Sequence, residues 1–177
     1  MGQDKARLPF RGGTLLDHVR AVCHDAGAAR VLVSGPYPEA DAIPDRVPGL
    51  GPLGGLASVL PELGSLPLIL LPVDLPRLRA KDLLMLHRAA VASTARAVRF
   101  AGGHVLPLWL RPDATAAATV RAMADHQSRG ARSLRALFTA LAGIEIACDA
   151  ATHRALEDCD TPEAWRRLGQ EQGLGPC

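Results

Sequence analysis

The sequence reads as an α/β protein: a doubly wound, mostly parallel sheet with helices on both faces and a small hairpin. Three observations lead there. Short apolar runs rich in β-branched residues alternate with longer segments of helical periodicity. The run 66–73 is almost wholly apolar, which marks a strand covered on both faces in a parallel sheet. With 177 residues, 48% hydrophobic and 21% charged, the chain is sized for one domain, 1–177, with a buried core.

Each element has its own signal. Thr14 can cap a helix, with Asp17 three residues on as its capping-box partner. Leu15, Leu16, Val19, Val22 and Cys23 then share one helical face, and Gly27 ends the helix. The run 30–34 is a short β-branched strand stopped by Gly35-Pro36. Segment 36–48 is loop-rich, with a short strand near Ile43. A helix opens in the glycine-rich stretch from Gly49 and runs to about Leu63. After the strand 66–73, residues 76–92 are helical. Strands 97–100 and 104–110 flank Gly102-Gly103 as a hairpin. Helices at 112–124 and 133–142 precede a strand at 144–148. Thr161-Pro162-Glu163 combines a cap, a first-turn proline and early negative charge, and opens the last helix. Strands alternating with helices give a Rossmann-like arrangement.

Several function classes drop out. A net charge of +2 without a basic run does not suit a nucleic-acid or membrane surface. No apolar stretch reaches spanning length and no leader pattern opens the chain, so a cytoplasmic location is expected. Cys23, Cys148, Cys159 and Cys177 lack zinc or CxxC spacing and read as reduced thiols. The six histidines show no ligand spacing and read as surface or capping residues. Ser34, Ser58 and Ser133 sit in no Gly-x-Ser-x-Gly elbow, which argues against a hydrolase.

Candidate site residues come from the ends of strands, where ligands bind in such sheets. Asp74 follows the run 66–73 and precedes Leu75-Pro76; Asp45 follows the weak strand near Ile43. A carboxylate there can hold Mg²⁺ together with phosphate oxygens, or simply cap a turn or helix. On the residues alone the two readings of Asp74 are balanced, and capping is favoured for Asp45. Among 20 basic residues only Lys5 and Lys81 are lysines, so a lysine at position 5 is a specific choice. Its compact, flexible charge suits bridging phosphate oxygens.

The opening Met1-Gly2-Gln3-Asp4-Lys5, continued by Leu15-Leu16-Asp17-His18-Val19, resembles the nucleotidyltransferases that build the molybdenum cofactor, above all its guanylyltransferases. Further matches follow in order: Asp45 before Gly51-Pro52-Leu53-Gly54-Gly55, Val73-Asp74-Leu75-Pro76, Gly130-x-Arg132-Ser133-Leu134, and Asp160-Thr161-Pro162-Glu163. Together they span residues 1 to about 168. Three places depart from the pattern. At Pro107 only the proline matches, since Leu106 stands where the family has a histidine. Ser34 stands where the family has a nucleotide-contacting asparagine, and Asp160 stands in the family's Asn-x-Asn-Thr-Pro-Glu, in a chain without asparagine. The stretch Gly51 to Gly55 favours a guanylyl over a cytidylyl enzyme for the same cofactor.

The resemblance implies transfer of GMP from GTP to the terminal phosphate of molybdopterin, with release of pyrophosphate and with Mg²⁺ as cofactor. It makes Lys5 and Asp74 catalytic. It places Lys5, Ser34, Asp45 and Asp74 on the nucleotide, Asp74 and Asp160 on the metal, and Arg132 and Asp160 on the acceptor. It implies GTP and molybdopterin or the molybdenum cofactor as partners, with molybdoenzymes or cofactor-insertion proteins as further ones. The family's Leu-Ala-Gly-Gly loop and the strand before it have no counterpart here, because the sequence starts at the family's methionine. The expectation is therefore a native chain that begins upstream of Met1, and weak GTP binding by the chain as given. A non-catalytic or truncated nucleotide-fold protein is the alternative.

Overall fold

The computed structural model describes residues 4–47, 49–126, 128 and 130–172. The opening Met1-Gly2-Gln3, Pro48 and Cys177 lie outside the described residues. The protein is α/β, with helices and mixed sheets, and its chain forms two compact units. The first comprises Met1–Ala29, Pro72–Leu84 and Cys148–Cys177; the second comprises Arg30–Leu71 and Met85–Ala147.

In the first unit a 3₁₀ turn, Lys5–Arg7, leads into a two-stranded antiparallel hairpin, β1 (Pro9–Phe10) and β2 (Gly13–Thr14). Helix α1 (Leu15–Asp25) starts at the expected capping box: Thr14 Oγ1 accepts from Asp17 N at 3.1 Å, and Asp17 Oδ2 accepts from Thr14 N at 3.0 Å. These two bonds satisfy orphan amides that would otherwise face water unpaired. Leu15, Val19, Val22 and Cys23 are its buried face. A small core joins Phe10 and Leu15 to Cys159 and Leu168, with Val73 and Trp165 against it. The C-terminal part of this unit adds α6 (Ala150–Ala155) and α7 (Pro162–Gln172). Helix α7 begins where Thr161 Oγ1 accepts from Ala164 N at 3.1 Å, as its cap signal predicts. Helix α6 was not expected, although Asp149 caps it by accepting from Thr152 N at 2.6 Å.

In the second unit four strands form one sheet in the order β3-β5-β4-β6: β3 (Leu68–Leu70), β5 (Leu108–Leu110), β4 (Ala97–Phe100) and β6 (Ile144–Ile146). The hairpin reading of β4 and β5 holds, since they pair antiparallel with Val98 opposite Trp109. The mostly parallel expectation needs correction: β3 and β5 also pair antiparallel, and β4 with β6 is the parallel ladder of this sheet. β4 is central and buried along its whole length. Helices α2 (Pro52–Leu63), α4 (Ala114–Ala124) and α5 (Leu134–Ala140) contribute Leu53, Leu56, Val120 and Leu137 to the core against Ala97, Leu108 and Leu110. The remaining helix, α3 (Ala80–Val91), carries residues of both units.

Two strand expectations are overturned. Residues 30–34 do not form a strand; a single parallel bridge, Ser34 to Ile43, is what remains. A β-branched run becomes a strand only when a ladder partner lies alongside, and beyond that bridge none does among the described residues. The strand expected over 66–73 shortens to β3, which is half-buried, and Leu66 is 58% exposed. Its side chains are covered less than an apolar run predicts because β3 pairs with β5 alone among the described strands.

Candidate active site

Lys5 projects from a turn whose geometry the preceding residue sets. Asp4 caps the turn by accepting from Ala6 N at 3.0 Å, and Ala6 is buried at 2% exposure, which anchors the backbone under Lys5. Asp74 opens the segment after residue 73. Cys159 N donates to the Asp74 carbonyl at 3.1 Å and so fixes the neighbouring Asp160 beside it. The result is one cluster: Lys5 Nζ donates to Asp74 Oδ2 at 3.0 Å and also to Asp160 Oδ1. Three residues that the sequence singled out, distant along the chain, thus meet in the first unit.

The electrostatics of the cluster are those of a cation held between two carboxylates. Burial works against the Lys5 charge, but the hydrogen bonds to Asp160 and Asp74 together outweigh it and hold its pKa above the ordinary value. The Asp160 carboxyl is pulled below the usual carboxylate range, chiefly by the hydrogen bond from Lys5. Two carboxylates and one ammonium leave one net negative charge. Such a cluster repels a triphosphate by itself and attracts a second, stronger cation. Carboxylate oxygens are the hard donors that Mg²⁺ prefers, and that ion commonly takes only one or two carboxylates plus substrate phosphates. The described residues contain no group of three or more His, Cys, Asp or Glu that could hold a metal.

A second group forms in the other unit. Ser34 Oγ donates to Asp45 Oδ1 at 2.8 Å, and Gly55, in the first turns of α2, lies against both. A Cβ at position 55 would stand 2.8 Å from Ser34 Oγ and 3.6 Å from Asp45 Oδ1, so the close approach requires glycine. Helix α2 opens with Pro52 after Gly51 at φ 65°, a left-handed conformation that glycine adopts without strain. Arg132 precedes Ser133, the cap of α5, and belongs to neither hydrogen-bonded group; its Nε is buried without a partner among the described residues.

Two features were missed from the sequence. The helix start at Arg79 to Asp82 reads as solvated, yet Asp82 is 1% exposed and receives Arg79 Nε at 2.8 Å, Arg79 Nη2 at 2.7 Å and Thr152 Oγ1 at 2.9 Å. The Arg-x-x-Asp spacing was the available signal, since i,i+3 pairs face each other on a helix. His18 reads as a surface residue but packs edge-to-face on Phe10, with ring centroids 4.8 Å apart, and its Nε2 is buried. Burial lowers its pKa, as does the Arg11 charge, while a hydrogen bond to the Pro76 carbonyl opposes them. A neutral His18 therefore links α1 to the turn that follows Asp74.

These positions can be compared with known proteins. The MobA-like NTP transferase domain, as a family model, matches residues 1–146. The chain belongs to the MobA-like NTP transferase family. Over 172 residues it is 40% identical to a protein of Xanthomonas euvesicatoria pv. vesicatoria (strain 85-10) named molybdenum cofactor guanylyltransferase, covering 97% of this chain and 88% of that one. It is 30% identical to a probable molybdenum cofactor guanylyltransferase of Opitutus terrae, covering 80% of this chain and 72% of the relative. Among solved structures, the molybdopterin-guanine dinucleotide biosynthesis protein A of Archaeoglobus fulgidus superposes with a TM-score of 0.76 at 14% identity, over 97% of this chain and 92% of the other. A structure from Mycobacterium tuberculosis H37Rv gives 0.69 at 22% identity, over 96% and 90%. At those identities the two structures bear on the fold alone. Membership in the MobA-like family accords with the α/β architecture and with the resemblance read from the opening residues. No helix among the described residues is long and apolar enough to cross a membrane.

Proposed function

We propose that this member of the MobA-like family transfers a guanylyl group from GTP to the phosphate of molybdopterin or the molybdenum cofactor and releases pyrophosphate. The observation that carries the reading is the meeting of Lys5 with Asp74 and Asp160. The 40% identity with a protein of that name supports the substrates. Phosphoryl-type transfer asks a protein for in-line positioning and for charge neutralisation rather than for covalent chemistry.

The residues divide that work. Asp74 and Asp160 would hold Mg²⁺, which when bound offsets the negative charge of the phosphates. Lys5 exchanges its two carboxylate partners for phosphate oxygens and draws charge toward the leaving pyrophosphate. Ser34 and Asp45, spaced by Gly55, contact the nucleotide. The acceptor phosphate is assigned to Arg132, whose buried Nε leaves only the outer guanidinium nitrogens for it, and to Asp160. A single functional domain over 1–177 and delivery of the product to a molybdoenzyme or cofactor-insertion protein belong to the same reading.

The test is pyrophosphate release from GTP, Mg²⁺ and molybdopterin by the full chain and by Asp74→Ala. The variant is expected to lose at least about 100-fold in rate, the scale of removing one preorganised electrostatic group. Turnover at the wild-type rate in a folded Asp74→Ala protein would refute the assignment.

A further inference from the structure

Beyond the Lys5 cluster, the first unit has a shallow cleft of about 410 Å³ lined by Arg77, Arg79, Ala151, Arg154, Ala155 and Glu157. That volume is in the range of small-ligand sites. Three guanidinium groups and one carboxylate line its wall, and the carboxylates of Asp82 and Asp149 act on Arg79 from beside it.

The groups differ in how they are held. Arg79 is fixed by its paired bonds to Asp82, and Asp82 is fixed in turn by Thr152. Those bonds use Nε and Nη2 and leave Nη1 for another acceptor. The side chain of Arg154, at the end of α6, is exposed and makes no hydrogen bond or ion pair among the described residues. A planar guanidinium immobilised before binding loses less freedom when it meets an oxyanion, and a phosphate offers the oxygens such forks match.

The cleft also adjoins the reacting cluster. Arg77 follows Asp74 by three residues, Glu157 precedes Asp160 by three, and the Cys159 N bond to the Asp74 carbonyl closes the two segments on each other. The buried Cys159 thiol, its pKa raised mainly by burial, feels Arg77 as well as Asp74 and Lys5.

We propose that this arginine cleft is a second anion site, beside the Lys5 cluster, that takes a phosphate-class oxyanion. The anion has two sources, a phosphate carried by a substrate or free pyrophosphate, and the experiment separates them.

The first arm titrates pyrophosphate calorimetrically into the full chain with all divalent metal chelated, and it does not depend on the chain's transferring guanylyl groups. Binding is expected to persist without metal, to weaken about tenfold in Arg154→Glu, and to stay within about twofold in Lys5→Ala. No metal-independent binding, no loss in Arg154→Glu, or a loss as large in Lys5→Ala would overturn the proposal. Arg154 has no partner to lose, so an unchanged melting curve certifies the variant. The second arm measures guanylyl transfer. A raised KM for GTP or the acceptor with kcat preserved in Arg154→Glu supports a substrate phosphate. Unchanged KM values with weaker pyrophosphate inhibition support the free anion. Kinetics and inhibition identical to wild type would overturn both.

Discussion

Replacing Asp82 with alanine is expected to lower stability by about 3 kcal/mol. The carboxylate is 1% exposed and accepts from Arg79 N at 3.1 Å, Arg79 Nε at 2.8 Å, Arg79 Nη2 at 2.7 Å and Thr152 Oγ1 at 2.9 Å. The Arg79 side chain is 36% exposed. Water therefore replaces much of what it loses, and its share shrinks to about 1 kcal/mol. Thr152 is 3% exposed. Its hydroxyl left without an acceptor costs about 1–2 kcal/mol, and the small void adds less than about 1 kcal/mol. Urea unfolding followed by circular dichroism measures the sum. With a slope of about 2 kcal/mol per molar, the midpoint falls by about 1.5 M. Thr152→Val, which removes only one donor, should fall by about a third as much. Arg79→Ala should match or exceed Asp82→Ala, because it leaves a buried charge unpaired. A midpoint shift under about 0.3 M in Asp82→Ala would show that the network contributes nothing and would refute the reasoning.

Lys5→Ala should weaken GTP binding about tenfold in a calorimetric titration, while Lys81→Ala, on an exposed position of α3, should stay within about twofold; equal losses would remove any special role for Lys5. The Lys5–Asp160 pair should also give stability an acid limb and an alkaline limb. Asp160 titrates below its ordinary 3.8, so its contribution is complete above that pH and fades as pH falls through the lower folded value. Lys5 titrates above its ordinary 10.5, so its contribution is complete below that pH and fades as pH rises through the higher folded value. Denaturation midpoints measured across pH in wild type and Lys5→Ala check this: the variant should lose the Lys5 contribution at alkaline pH and only part of the fall at acid pH, since Asp17, Asp113 and Asp149 are also held low. Gly55→Ala places a Cβ 2.8 Å from Ser34 Oγ. Crowding of about 2 kcal/mol against a helix-propensity gain of about 1 kcal/mol predicts a net loss near 1 kcal/mol, and a more stable variant would contradict it.

What the sequence determined by itself is local. The capping box of Thr14 and Asp17, the Thr161 cap and the turn around Gly51-Pro52 are visible because the groups that satisfy one another lie within three or four residues. The identities of Lys5, Asp74 and Asp160 were also legible, through an unusual lysine, a carboxylate beyond an apolar run and the matching family pattern. Their meeting was not, because Asp74 and Asp160 lie 69 and 155 residues from Lys5 and only the closed fold brings them to one ammonium.

The tertiary structure alone decided three further matters. Residues 30–34 and 66–73 have equal claims to be strands by composition, but a strand is made by its ladder partner, which composition does not reveal. The sheet came out mixed because β3 and β4 both pair antiparallel with β5, a long-range pairing that local sequence does not reveal. Asp82 looks solvated in sequence, yet it is buried, because a carboxylate can leave water when Arg79 and Thr152, on another segment, supply its hydrogen bonds.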